Sequence, residues 1–138
     1  MGLDMYAYKI KANLTKEVDF NDEIHEKNED GSPNYDNPLA DSIEIAYWRK
    51  HPDLHGWMEG LYRRKGGKET TFNGDPLVLT LKDLDDLKVA ILNGNLPDTV
   101  GFFFGVSKKE ISPNDLEFIE KAKAAIAEGY TVYYDSSW

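Results

Sequence analysis

The tripeptide His51-Pro52-Asp53 constrains this chain more than any other feature. Before it, residues 43–48 are apolar and rich in strand formers. After it, Leu54, Trp57, Met58, Leu61 and Tyr62 recur at helical spacing. The residue preceding a proline is pushed toward extended geometry. Pro52 suits a first helical turn, where its missing N–H costs nothing, and Asp53 favours the positive N-terminal end. A strand must therefore give way to a helix within three residues. Arg63, Arg64 and Lys65 complement the C-terminal dipole of that helix, and Gly66-Gly67 ends it.

The rest of the chain alternates in the same manner. Residues 3–10 place Leu3, Met5 and Ala7 on one side and Asp4, Tyr6 and Tyr8 on the other, a strand at least partly covered on both faces. Residues 77–79 make a short apolar strand, and Thr80-Leu81-Lys82-Asp83 has the form of a capping box with Asp in place of Glu. The helix that follows turns Leu84, Leu87 and Ile91 inward and closes near Asn93-Gly94. Residues 101–106, Gly-Phe-Phe-Phe-Gly-Val, are the most apolar run and read as a central strand. Ser112-Pro113-Asn114-Asp115 opens a helix that buries Leu116, Ile119, Ala122 and Ile126 and stops at Gly129, before a last strand at 130–134. The expected fold is α+β: a single mixed sheet of about five strands with about three helices packed mainly on one side.

A chain of 138 residues fits one domain. Cysteine is absent, so disulfides and thiolate metal sites are excluded. The first residues carry no secretory pattern and no run approaches a membrane span, which predicts a cytoplasmic protein with no membrane association. The net charge of −9 argues against general nucleic-acid affinity. Ten acids fall between Glu17 and Glu44 against one lysine, Lys27. This acidic, unperiodic stretch reads as a long loop excursion at about 13–42, mobile and dispensable for folding, rather than a nucleic-acid mimic. Either residues 18–27 form a short helix, with Phe20 and Ile24 four apart, or the segment folds over a site.

The chemistry is concentrated in residues 44–57, which hold two of the three tryptophans, two of the three histidines and Arg49-Lys50. His51 and His55 have HxxxH spacing, but Pro52 puts His51 at or before the helix start, so no metal and no cofactor are assigned. Residues 101–105 lack the spacing of a phosphate-binding loop. Asp4, within a strand beside Tyr6, needs a partner if buried, and Arg49 is the natural candidate. Tyr6, Tyr8, Tyr47, Trp48, Trp57, Phe104, Tyr133 and Trp138 either form a pocket floor rimmed by Arg49, Lys50 and His55, suited to an anionic ligand or a peptide edge, or are core.

The opening Met1-Gly2-Leu3-Asp4-Met5-Tyr6, the block Tyr47-Trp48-Arg49-Lys50 with His55 and Trp57, the pair Leu96-Pro97 and the run Gly101-Phe102-Phe103-Phe104-Gly105 resemble a family of small uncharacterised proteins of bacteriophages and prophages. The likeness extends over most of the chain but leaves out residues 17–41. After Gly105, where the family commonly has an acidic, aromatic segment, this chain has Val106-Ser107-Lys108-Lys109-Glu110. The family has no established activity. The resemblance implies a phage origin and an intracellular role during infection, and raises Trp48, Arg49, Lys50, His55 and Gly105 as site residues beside Asp4, Tyr6 and Phe104.

Two function classes follow. One is a non-enzymatic binding protein for a host or phage protein or a small anionic ligand. The other is a small enzyme using His55 with Arg49 and Asp4 on an anionic substrate. A His55 ring packed away from solvent favours the first, and one in an open cleft beside a carboxylate favours the second. A large self-complementary interface would instead mark an assembly protein.

Overall fold

The computed structural model describes residues 2–99 and 111–138. The expected strand at 101–106 lies outside them, and with it the candidate residues Phe104 and Gly105.

Strands β1 (Asp4–Ile10), β4 (Ile43–Trp48), β5 (Leu77–Leu79) and β6 (Thr131–Ser137) form a four-stranded sheet in the order β4-β1-β6-β5. Every pairing in it is antiparallel. The chain is thus α+β, and its helices are α1 (Asn21–Ile24), α2 (Pro52–Arg64), α3 (Leu81–Leu92) and α4 (Pro113–Ala127).

Strand alternation sorts the side chains. Leu3, Met5, Ala7, Leu77, Leu79, Val132 and Tyr134 face the three long helices and are buried with Leu54, Met58, Leu84, Leu87, Phe118 and Ile119. Local signals place those helices as the sequence predicts. Pro52 and Pro113 occupy first turns. The Thr80 hydroxyl accepts from the Asp83 amide at 3.2 Å, and the Asp83 carboxylate accepts from the Thr80 amide at 2.9 Å. Gly66, at φ 92°, takes the left-handed turn after α2 that other residues resist. In α4 the buried stripe is Asp115, Phe118, Ile119, Ala122 and Ala125, with Leu116 and Ile126 only half-buried.

The opposite face of the sheet corrects one expectation. Residues 13–42 do not form an irregular excursion. Val18 bridges to Leu77, α1 follows, and β2 (His25–Lys27) pairs with β3 (Pro33–Pro38) as a separate two-stranded sheet. The physical reason is the second face itself. Ile10, Val78 and Tyr133 need apolar cover, and Phe20 and Ile24 supply it in a second buried cluster. The four-residue spacing of Phe20 and Ile24 matches the short helix α1, but it carries no signal for the β2–β3 hairpin that follows. Lys65 fastens the layers together, its ammonium donating to Glu17 at 2.6 Å, to the Val78 carbonyl at 2.8 Å and to Asp83. Among the described residues no helix is long and apolar enough to cross a membrane.

Candidate functional site

The dense stretch 44–57 is divided by the sheet. Tyr47 emerges on the second face with Asp4 and Tyr6. Its hydroxyl donates to Asp4 at 2.6 Å, and its ring lies 5.2 Å from that of Tyr6. Arg49 reaches the same Asp4 oxygen at 3.4 Å while staying about half exposed, and Lys50 is exposed. Trp48 points the other way into the core, its indole N–H donating to Asp115 at 2.9 Å and its ring edge-on to Phe118.

His55 is 1% exposed. Its Nδ1 shares a 2.6 Å hydrogen bond with the Tyr134 hydroxyl, and its ring lies against Phe72 and Trp138. Burial disfavours the imidazolium and lowers its pKa to about 4. His55 therefore sits on the helical side of the sheet, whereas Asp4 and Tyr6 point to the other. The rim expected from Arg49, Lys50 and His55 is not brought together, and neither is a His55–Arg49–Asp4 constellation. His51 stands at the N-cap position of α2 without a side-chain cap bond, and its Nε2 lies 2.8 Å from Asp115.

What the fold does assemble is a groove on the second face, of about 690 Å³. Its floor is Tyr8 of β1 with Tyr133 and Asp135 of β6. One wall is His25 and Tyr35 of the β2–β3 hairpin, whose rings are 5.0 Å apart. The remaining walls come from Asp41 and Ser42 ahead of β4, and from the turn at Asn73-Gly74. These parts are tied down. Tyr133 shares a 2.7 Å hydrogen bond with Ser42 and meets Tyr8 at 5.2 Å. His25 Nδ1 donates to the Asn21 carbonyl at 2.9 Å, and Gly74 N donates to the Ser136 carbonyl at 2.8 Å.

The electrostatics of the groove are one-sided. Asp41 and Asp135 line it, and no lysine or arginine does among the described residues. One oxygen of Asp135 accepts from the Ser136 amide at 2.8 Å. Burial, with added repulsion from Asp75, raises the Asp135 carboxyl to about 6. Burial and the same Asp135 charge raise the Tyr8 phenol to about 12, so it stays protonated.

Tyr8 and Tyr133 were legible as candidate floor residues. Asp135, Asp41 and the hairpin wall were not. The last strand continues past residue 134 to Ser137, and that extension turns Asp135 into the floor opposite Tyr6. Alternation beyond Tyr133 was the available signal.

Outside the groove lining a second acidic group forms. Carboxylate oxygens of Asp19, Glu69 and Asp75 lie within 4.8 Å of one another, an oxygen-donor set of the kind hard divalent cations take. Asp19 is already engaged by the Tyr62 hydroxyl and the Lys68 amide, and Asp75 by the Asn73 amide at 3.0 Å.

Comparison of the chain with protein-family models, with curated proteins and with solved structures finds no match.

Proposed function

We propose that this chain is a binding protein whose site is the groove between the second face of the sheet and the β2–β3 hairpin. The carrying observation is the open groove itself. A segment rich in acids and turn residues is held on the sheet by Phe20 and Ile24, and leaves an open groove of about 690 Å³ beside it. Ligand sites commonly measure about 300–1,000 Å³, with aromatic walls and a few polar groups. The sequestered His55 ring supports a binding role over the enzymatic alternative, because a base without access to a cleft has nothing to act on. The resemblance to phage and prophage proteins supports a cytoplasmic role in an infected host, with a host or phage protein or a small molecule as the ligand. The anionic ligand suggested by Arg49 and Lys50 has less support, since the groove is lined by carboxylates.

The test fills the groove without changing its charge. Ala40 lines it and is half-buried, so Ala40→Trp should occupy the space while the sheet still folds. Native mass spectrometry of wild-type protein from its host should show a retained mass that the variant lacks. A folded Ala40→Trp protein that keeps every wild-type partner would place the binding surface elsewhere.

A further inference from the structure

We infer that the groove accepts an organic ammonium ion, seated against Asp135 and the half-buried ring of Tyr8. This inference rests on the groove being the binding site and names the class of ligand it takes.

Three observations converge on a cation. The first is the carboxylate. Asp135 is on the floor, half-buried, and the one hydrogen bond to its carboxylate among the described residues comes from the amide of Ser136. A carboxylate can take up to four hydrogen bonds, so this one enters the groove with acceptor capacity unused. The second is the aromatic lining. Tyr8 is half-buried at the groove, backed by the buried Tyr133 ring at 5.2 Å, and His25 with Tyr35 adds an aromatic pair to the lining. Ring faces carry negative potential and attract ammonium groups within about 6 Å of the centroid, most strongly where water is displaced. The third is the rim. Asp41 adds a second carboxylate, and Arg49, which reaches Asp4 on the same face of the sheet, does not line the groove. An anion entering here would meet two carboxylates and no lysine or arginine among the described lining residues, while an ammonium ion would meet complementary charge.

A primary ammonium offers three donors on an apolar stem. It could come from a free alkyl amine or from a lysine side chain of a partner protein. The probes are pentylammonium and 1-pentanol, which share a stem and differ in charge, titrated into the full chain and followed by amide NMR. Pentylammonium should shift resonances of residues 24–25, 41–42, 73–74 and 133–135, with an affinity at least tenfold above that of pentanol. Asp135→Asn should remove at least tenfold of that affinity. Should this variant fail to fold, the ammonium-to-alcohol comparison on the wild-type chain decides alone. Nα-acetyl-lysine methylamide binding more tightly than pentylammonium would assign the source to a protein side chain, and the reverse would assign it to a free amine. Equal affinity for ammonium and alcohol, or unchanged affinity in a folded Asp135→Asn protein, would overturn the inference. If glutarate or pentanol shifts these resonances and pentylammonium does not, the groove stands as a site and the cation is refuted. If none of the probes shifts them, both readings fall.

Discussion

Trp48 donates its indole N–H to Asp115 at 2.9 Å, joining the end of β4 to the first turn of α4 across 67 residues of sequence. The other Asp115 oxygen lies 2.8 Å from His51 Nε2, so one carboxylate, 2% exposed, holds a strand end and two helix starts. Its position in the first turn of α4 also sets it in the favourable field of the helix dipole.

Removing that carboxylate should cost more than a typical hydrogen bond. Asp115→Ala strands a buried indole N–H and leaves His51 without this partner, and each unsatisfied buried donor costs about 1–3 kcal/mol. Urea denaturation should therefore show a loss of about 3 kcal/mol. Asp115→Asn, which keeps one acceptor, should lose about half as much. The exposed neighbour Glu117→Ala should stay within about 0.5 kcal/mol. An Asp115→Ala protein as stable as wild type would show that the junction is held by packing alone.

The segment at 13–42 should behave as part of the fold. Phe20 is fully buried and meets Tyr133 edge-on at 5.4 Å. Phe20→Ala should cost about 3 kcal/mol, the lower end for a buried phenylalanine, because the second cluster is small enough to relax. Tyr35, 64% exposed at the groove mouth, should tolerate Ala with a change within about 0.5 kcal/mol. Limited proteolysis should cut Phe20→Ala faster than wild type within this segment.

These contrasts show why some of the structure was legible and some was not. The helix starts at Pro52, Thr80 and Pro113 depend on residues within about four positions, so their signals stand together in the chain. The inward face of β1 was readable from alternation. The groove depends on registers between distant strands, with Tyr8 opposite Tyr133 and Tyr6 opposite Asp135. Alternation from Tyr133 gives the face of Asp135, but nothing near it in sequence gives its register with β1. The cluster at 44–57 misled for the converse reason: neighbours in an extended chain point to opposite faces, so Tyr47 turns toward Asp4 and Tyr6 while Trp48 turns into the core.

Arg49 separates a structural role from a surface role. Its pairing with Asp4 at 3.4 Å is solvent-exposed, and exposed ion pairs contribute about 0–1 kcal/mol. Arg49→Ala should therefore melt within a few degrees of wild type. Retention of every wild-type partner by this variant would remove the Asp4–Arg49 edge from the binding surface. Loss of a partner at unchanged stability would extend that surface from the groove along Tyr6 and Tyr47.

The pH dependence of stability should carry two opposing components. His55 has a folded pKa near 4, below its ordinary value of 6.5, so its neutral form is favoured by folding. Its contribution is complete above pH 6.5 and is lost as pH falls toward 4, by at most about 3 kcal/mol at about 1.4 kcal/mol per pKa unit. Asp75 and Asp135 act in the other direction. Their folded values near 6 lie above the ordinary 3.8, so ionisation penalises the fold above pH 6, and the penalty is relieved as pH falls from 6 toward 3.8. In wild type the two components overlap and partly cancel between pH 6 and 4. His55→Gln, which can still hydrogen-bond Tyr134 but cannot titrate, should leave the acid component exposed. Its denaturation midpoint in urea should rise as pH is lowered from 7 to 5. Asp135→Asn should gain stability at pH 7 relative to wild type and, with only Asp75 left to oppose His55, lose more stability than wild type as pH falls toward 4. Parallel pH profiles for wild type and both variants would mean that neither His55 nor Asp135 titrates differently in the folded and unfolded chains.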